Sequence, residues 1–282
     1  MPSATKQLLL SKYLFSRGVD ALRPNDDLSA GVAVSLFHDA TEMTMWEIAK
    51  QRSIKVSDKE AFTELLKKIA QFAHTHQLAP AVSEGMLLDI NKVRVSYKHN
   101  GILPAHSAAV TCQGYAEESL RALMKAFFQV DFGSLSLAEL ISHEEVKSFI
   151  KTAELAFSNN LFEDCVVECA KAQHVAALPV DELIPFATDH FRFPIVKTRD
   201  YQDIVDPLSA YIDRVRLIAL AALLKLSVPD LARFSRLAPD VDRAESGTFH
   251  VTLCRDHYTR GDAEFCLRYV VDYALTVERQ LG

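Results

Sequence analysis

A chain of 282 residues with a net charge of −6 has room for one large or two modest domains. Its 49% hydrophobic and 24% charged residues are those of a globular protein, and the acidic balance excludes a general polyanion binder, though not a local basic patch. Only 9 glycines and 10 prolines punctuate it, which favours long helices over strands and turns.

Residues 4–23 place Leu8, Leu9, Tyr13, Leu14, Val19 and Leu22 at loosely helical spacing, and Pro24 stops the run. Asn25–Asp27 can cap a second helix from Leu28 to Arg52, with Val32, Leu36, Met43, Trp46 and Ile48 as its apolar positions. Ser57 and Glu60 have capping-box spacing ahead of a third helix, Lys59 to His76. Phe62, Leu65, Leu66, Ile69 and Phe72 form its core face, and Pro80 closes it. Met86 to His99 makes a fourth helix through Leu87, Ile90, Val93 and Tyr97. Gly101 suits its left-handed C-terminal residue, and Pro104 prevents continuation. Four helices joined by short loops predict an antiparallel bundle.

Helical spacing continues from Ala105 to Val130, and Phe132–Leu140 reads as a connector with a short helical turn. Ser142, with Glu145 three residues on, predicts the cap of a helix over Glu144–Phe157. A turn at residues 158–160 and a second helix over Leu161–Leu178 complete an αα-hairpin. The stretch 179–207 is irregular, with four prolines. A strongly apolar helix over Leu208–Leu226, a short helix over Val228–Val241, a short strand over Thr248–Leu253 and a closing helix over Asp262–Leu281 follow. The expected fold is all-α: a bundle over residues 1–130, then a second helical domain over 131–282 packed on it.

Cys112, Cys165, Cys169, Cys254 and Cys266 contain no CxxC pair and read as reduced thiols. The N-terminus lacks a signal-peptide pattern, and Lys225 breaks the longest apolar run well short of the roughly 20 residues of a membrane span. The expectation is a cytoplasmic protein with no membrane partner.

The most informative run is Asn-Lys-Val-Arg-Val-Ser-Tyr-Lys-His-Asn-Gly at 91–101. It gathers Arg94, Lys98 and His99 at a helix end. Arg94-x4-His99 resembles the Arg-x(4–6)-His motif of HEPN domains, all-α modules of many prokaryotic RNases and defence proteins. The stretches around His143–Ala172 and Gly261–Asp272 are similar to the helical second half of some uncharacterised HEPN-like bacterial proteins. The resemblance implies a homodimer whose two motifs share one cleft, and metal-independent cleavage of RNA in a stress or defence role, with no cofactor. Val95 stands where many active members carry a polar residue. Gly101 stands where the adenylylated variety carries tyrosine. The alternative reading is therefore a catalytically silent sensor or scaffold that binds RNA, a small ligand or a partner protein.

RNA carries its own nucleophile, the 2′-OH. Cleavage needs a base, an acid for the leaving 5′-oxygen, and positive charge on the phosphorane. A histidine moves protons near neutral pH, and an arginine grips two phosphate oxygens while staying charged. His99 and Arg94 are the candidate catalytic residues, and Lys98 and Asn100 are candidates for holding the RNA backbone. Asp39 and Glu42 are candidates to orient Arg94 by a charge-assisted bond. Arg94 and Lys98 share a helix face, whereas His99 lies about 140° from Arg94 on a regular helix, so convergence requires the helix to end or kink near His99. The bland reading is a solvated Arg94–Lys98 face with His99 capping the helix.

Two further constellations have zinc-type donors: Cys165 and Cys169 with His143 and His174, and His250, Cys254, His257 and Cys266. Core packing is the simpler reading of the first, and the spacing of the second matches no common zinc finger. Nucleotide-loop, GxSxG and HExxH motifs are absent from the sequence. Phe127, Phe128 and Phe132 read as core or interface.

Overall fold

The computed structural model describes residues 4–78, 83–183, 218–244, 246–252, 255 and 257–281, together with 208, 211–212 and 214–215. The chain divides into two compact units, Met1–Leu137 and Ala138–Gly282. The fold is largely helical, with one small antiparallel sheet among the described residues; a strand was expected over Thr248–Leu253, but its partner at Asp240–Arg243 was not. Among the described residues, no helix is long and apolar enough to cross a membrane.

The first unit is built around α2 (Asp27–Gln51), which packs against α1 (Ala4–Ala21), α3 (Phe62–Thr75), α4 (Glu84–Asn100) and α5 (His106–Phe128). Asp26 starts α2 by accepting the backbone N–H of Ser29 at 2.9 Å. A helix surrounded on several sides cannot carry bulk everywhere. Its fully buried line runs through Ala30, Ala33, Val34, Phe37, Ala40, Met45 and Ile48, whereas Leu36, Met43 and Trp46 are half-buried and Val32 is exposed. Two glycines let neighbouring helices close in. A Cβ on Gly18 would sit 2.5 Å from the Phe37 ring, and one on Gly31 would sit 2.6 Å from the Tyr97 ring.

Ser57 and Glu60 do interact, through a 3.0 Å bond from the Ser57 N–H to the Glu60 carboxylate. They close a turn ahead of α3 rather than opening the helix, which starts at Phe62. Lys68 takes up the same carboxylate at 2.6 Å, so Glu60 ties the turn to the helix body.

In the second unit α6 (Glu144–Ser158) and α7 (Phe162–Leu183) form the αα-hairpin. His143, not Ser142, caps α6 by accepting the Val146 N–H. The free N–H groups of Ser142 and His143 go to the Glu278 carboxylate at 2.8 and 2.9 Å, a negative charge placed at a helix start. Helix α7 runs through Pro179, which removes one helical hydrogen bond without ending the helix.

Residues 218–224 are helical, with Leu220, Ala221 and Leu224 buried; most of 179–217 lies outside the described residues. Helix α8 (Val228–Leu237) is capped by Ser227 and is shorter than expected. Asp240 and Val241 belong instead to β1 (Asp240–Arg243), which pairs with β2 (Phe249–Thr252), Asp240 opposite Thr252. Alternating short segments on either side of Gly247, at φ +85°, suit a hairpin better than a helical turn. Helix α9 (Arg260–Leu281) closes the unit against α6, α7 and α8.

Candidate functional site

The candidate site lies on the seam between α2 and α4. Tyr97 packs over Gly31, and Asn91 meets His38, so the two helices run antiparallel in close contact. This proximity sets a cluster of titratable groups on the line where the two helices meet.

His38 is at the centre and is 1% exposed. Its Nε2 lies 3.2 Å from Asn91 Oδ1 on α4. Its Nδ1 lies 3.4 Å from Asp39 Oδ1 and 3.6 Å from Glu42 Oε2 on α2. Phe62 of α3 packs against the ring, tilted by 31° at a centroid distance of 4.3 Å, and restricts its rotation. The carboxyl of Asp39 is held below its ordinary value, first by the hydrogen bond from His38 and then by the charge of Lys98, with His38 and Arg94 adding to it.

The structure brings four of the expected residues into one electrostatic neighbourhood: Asp39, Glu42, Arg94 and Lys98. Asp39 and Glu42 direct their oxygens at His38. Arg94 is half-buried, and its Nε is shielded from solvent with no hydrogen-bond partner among the described residues. Its influence on Asp39 acts through space rather than through a direct bond.

His99 and Asn100 are exposed at the C-terminal end of α4, as is Lys98. Gly101 adopts φ +68°, the left-handed conformation its position required, and the N–H groups of Gly101 and Ile102 both return to the Ser96 carbonyl. The helix includes His99 and Asn100, so it does not stop early enough to swing His99 toward Arg94. Within one chain the two side chains stay on different faces, about 140° apart.

Sequence reading overlooked His38 and Asn91. The signal was present: His38, Asp39 and Glu42 fall within about one helical turn, and Asn91 stands one turn before Arg94 on the same face. What hid them was the tertiary pairing that joins the two turns.

The remaining candidates have plainer roles. His143 caps α6, and His174 sits edge-on to Phe249. Cys165 and Cys169 are buried, and Cys165 adds to the upward push that burial gives Cys169. Burial lifts the Cys112 thiol to about 11 and the Cys266 thiol to about 12. Cys254, part of the second candidate zinc set, lies outside the described residues. Phe127 and Phe132 are core residues.

The second unit also holds a cavity of about 520 Å³ between α6, α7 and α9. Val146, Val175, Pro179, Ala274, Val277 and Leu281 make it mostly apolar, and His143 and Glu278 stand at its polar side.

No family model, no curated protein and no solved structure matches this chain.

Proposed function

We propose that the first unit is an HEPN-like, metal-independent endoribonuclease that works as a homodimer. The observation that carries this reading is the meeting of α2 carboxylates with the Arg94 face of α4, just ahead of an exposed Lys98-His99-Asn100 end. Arg94 would stabilise the phosphorane, His99 would transfer the proton, and Lys98 and Asn100 would hold the RNA backbone. Asp39 and Glu42 would hold the electrostatic setting of Arg94.

A second copy is part of the proposal because one helix keeps Arg94 and His99 on different faces. Exposed apolar side chains cluster in support of that pairing. Leu28 and Val32 flank the Gly31 contact on α2, while Val95, Ile102 and Leu103 lie around the end of α4. Leu28 is 61% and Ile102 60% exposed, more than lone surface apolar residues need explain when they gather at one end.

The test is cleavage of total RNA in the presence of EDTA. Wild-type protein should cut, and Arg94→Ala/His99→Ala should lose at least about a hundredfold in rate. Mixing the Arg94→Ala and His99→Ala single variants should restore part of the activity if the site is composite. Equal cleavage by wild type and double variant, or none by either, removes the proposal.

A second reading is favoured by the apolar cavity of the second unit, whose size suits a small organic ligand. In that reading the protein is a catalytically silent sensor. Ligand-dependent stabilisation abolished by Val175→Trp, with no RNA cleavage, would select it.

A further inference from the structure

The geometry points to a divalent-cation site formed by His38 Nδ1, Asp39 Oδ1 and Glu42 Oε2. The three donor atoms all lie within 4.8 Å of one another, the one such group of His, Cys, Asp and Glu among the described residues. Metal bonds of about 2.1 Å turn the 3.4 and 3.6 Å separations from Nδ1 into angles of roughly 110° and 120° at the ion, and the two carboxylate oxygens, within 4.8 Å of each other, would draw to under about 4.2 Å as they close on it.

The ring is set up for this from its other side. Asn91 Oδ1 accepts, so the tautomer that satisfies this 3.2 Å contact is the one with its hydrogen on His38 Nε2. In that tautomer Nδ1 turns its lone pair toward the oxygens of Asp39 and Glu42. A hydrogen bond at the second ring nitrogen and a packed ring at 4.3 Å are the supports that orient a metal-bound histidine. The side chain is 1% exposed, so the ring cannot turn away to water. Asp39 and Glu42 keep 42% and 30% of their side-chain surface, which gives an ion a way in and leaves positions open to water.

One nitrogen and two carboxylate oxygens suit Mn²⁺ or Zn²⁺ rather than a soft thiol-seeking ion. The ion would compete with Arg94 and Lys98 for the carboxylates, since both act on Asp39. This site goes beyond the RNase reading and does not depend on it, because that cleavage is expected to proceed in EDTA.

The test is titration of EDTA-stripped, dialysed full-length protein with MnCl₂, followed by the loss of the free Mn²⁺ paramagnetic resonance signal. Wild type should bind one Mn²⁺ per chain, displaced by ZnCl₂. His38→Gln should bind at least about tenfold more weakly. Glu42→Gln, at a part-exposed position that leaves the ring packing alone, should weaken binding in the same way with an unchanged circular dichroism spectrum. No Mn²⁺ bound by wild type, or equal affinity in a folded Glu42→Gln protein, overturns the site and identifies a proton-bridged cluster instead. RNA cleavage in EDTA without Mn²⁺ binding would sink this inference alone.

Discussion

The seam between α2 and α4 gathers part-exposed polar groups around one buried ring, whereas the interior between α7 and α9 is buried, and the two are built on opposite terms. The seam holds His38, Asn91, Asp39, Glu42 and Arg94. The interior holds Cys165, Cys169, Cys266 and a line of rings, Phe265, Tyr269 and Tyr273, with Phe234 of α8 stacked on Tyr269 at 4.5 Å. Burying polar and charged groups costs stability unless they are paired. The seam bears that cost beside an exposed face, which is where a site belongs. The interior is built from thiols and aromatic rings held neutral, which is how a scaffold is made, and the Tyr269 hydroxyl is its unpaired exception among the described residues. Titratable residues thus carry different meanings in the two places: Asp39 is pulled toward the charged form, and Cys266 is pushed toward the neutral one.

The contrast can be broken most severely from the scaffold side. Tyr269→Ala should remove about 3–5 kcal/mol of stability by leaving a cavity between Phe234 and Phe265, read as a fall in the denaturant midpoint. On the seam, Gly31→Val should cost about 1–3 kcal/mol, because its new side chain meets the Tyr97 ring; trimming Tyr97 to Ala in the same chain should recover part of the loss.

A smaller effect of opposite sign separates polar burial that serves a site from polar burial that does not. The Tyr269 hydroxyl is buried with no hydrogen-bond partner among the described residues. Tyr269→Phe should then be neutral or stabilising by up to about 1 kcal/mol in the same unfolding measurement.

The least effect concerns acid. The folded-state carboxyl of Asp39 lies below its ordinary value of 3.8, so its contribution is fully present above that value and is lost as pH falls through the lower folded one. The stability difference between wild type and Asp39→Asn should be constant from pH 5 to 7 and shrink below about pH 4. A difference that persists at low pH would show that Asp39 acts through packing rather than charge.

Much of the helical layout was readable from local pattern. Gly101 marked the end of α4 because its position needed φ > 0, and the αα-hairpin declared itself in the asparagine turn, where Asn160 takes φ 60°. Departures came where local chemistry offered two uses for one residue. The Ser57–Glu60 pair serves a turn instead of a helix start, Ser142 yields its cap to His143, and Pro179 lies inside α7 instead of opening an irregular stretch. Val32 belongs to the apolar positions of α2 and still stays exposed, because periodicity marks an apolar face without saying how many helices will cover it.

At the site, Arg94, Lys98 and His99 could be picked out along one helix, since residue type and spacing are local properties. Their faces also followed from the sequence, through the 100° turn of a regular helix. What the sequence left open was which side chains would meet them across space. Only the packing of α2 on α4, made close by Gly31, brings His38 and Asn91 together and turns Asp39 and Glu42 toward a buried ring. Helix pattern and a motif are written along the chain; a buried cluster assembled from two turns, 53 residues apart, exists only once the helices have packed.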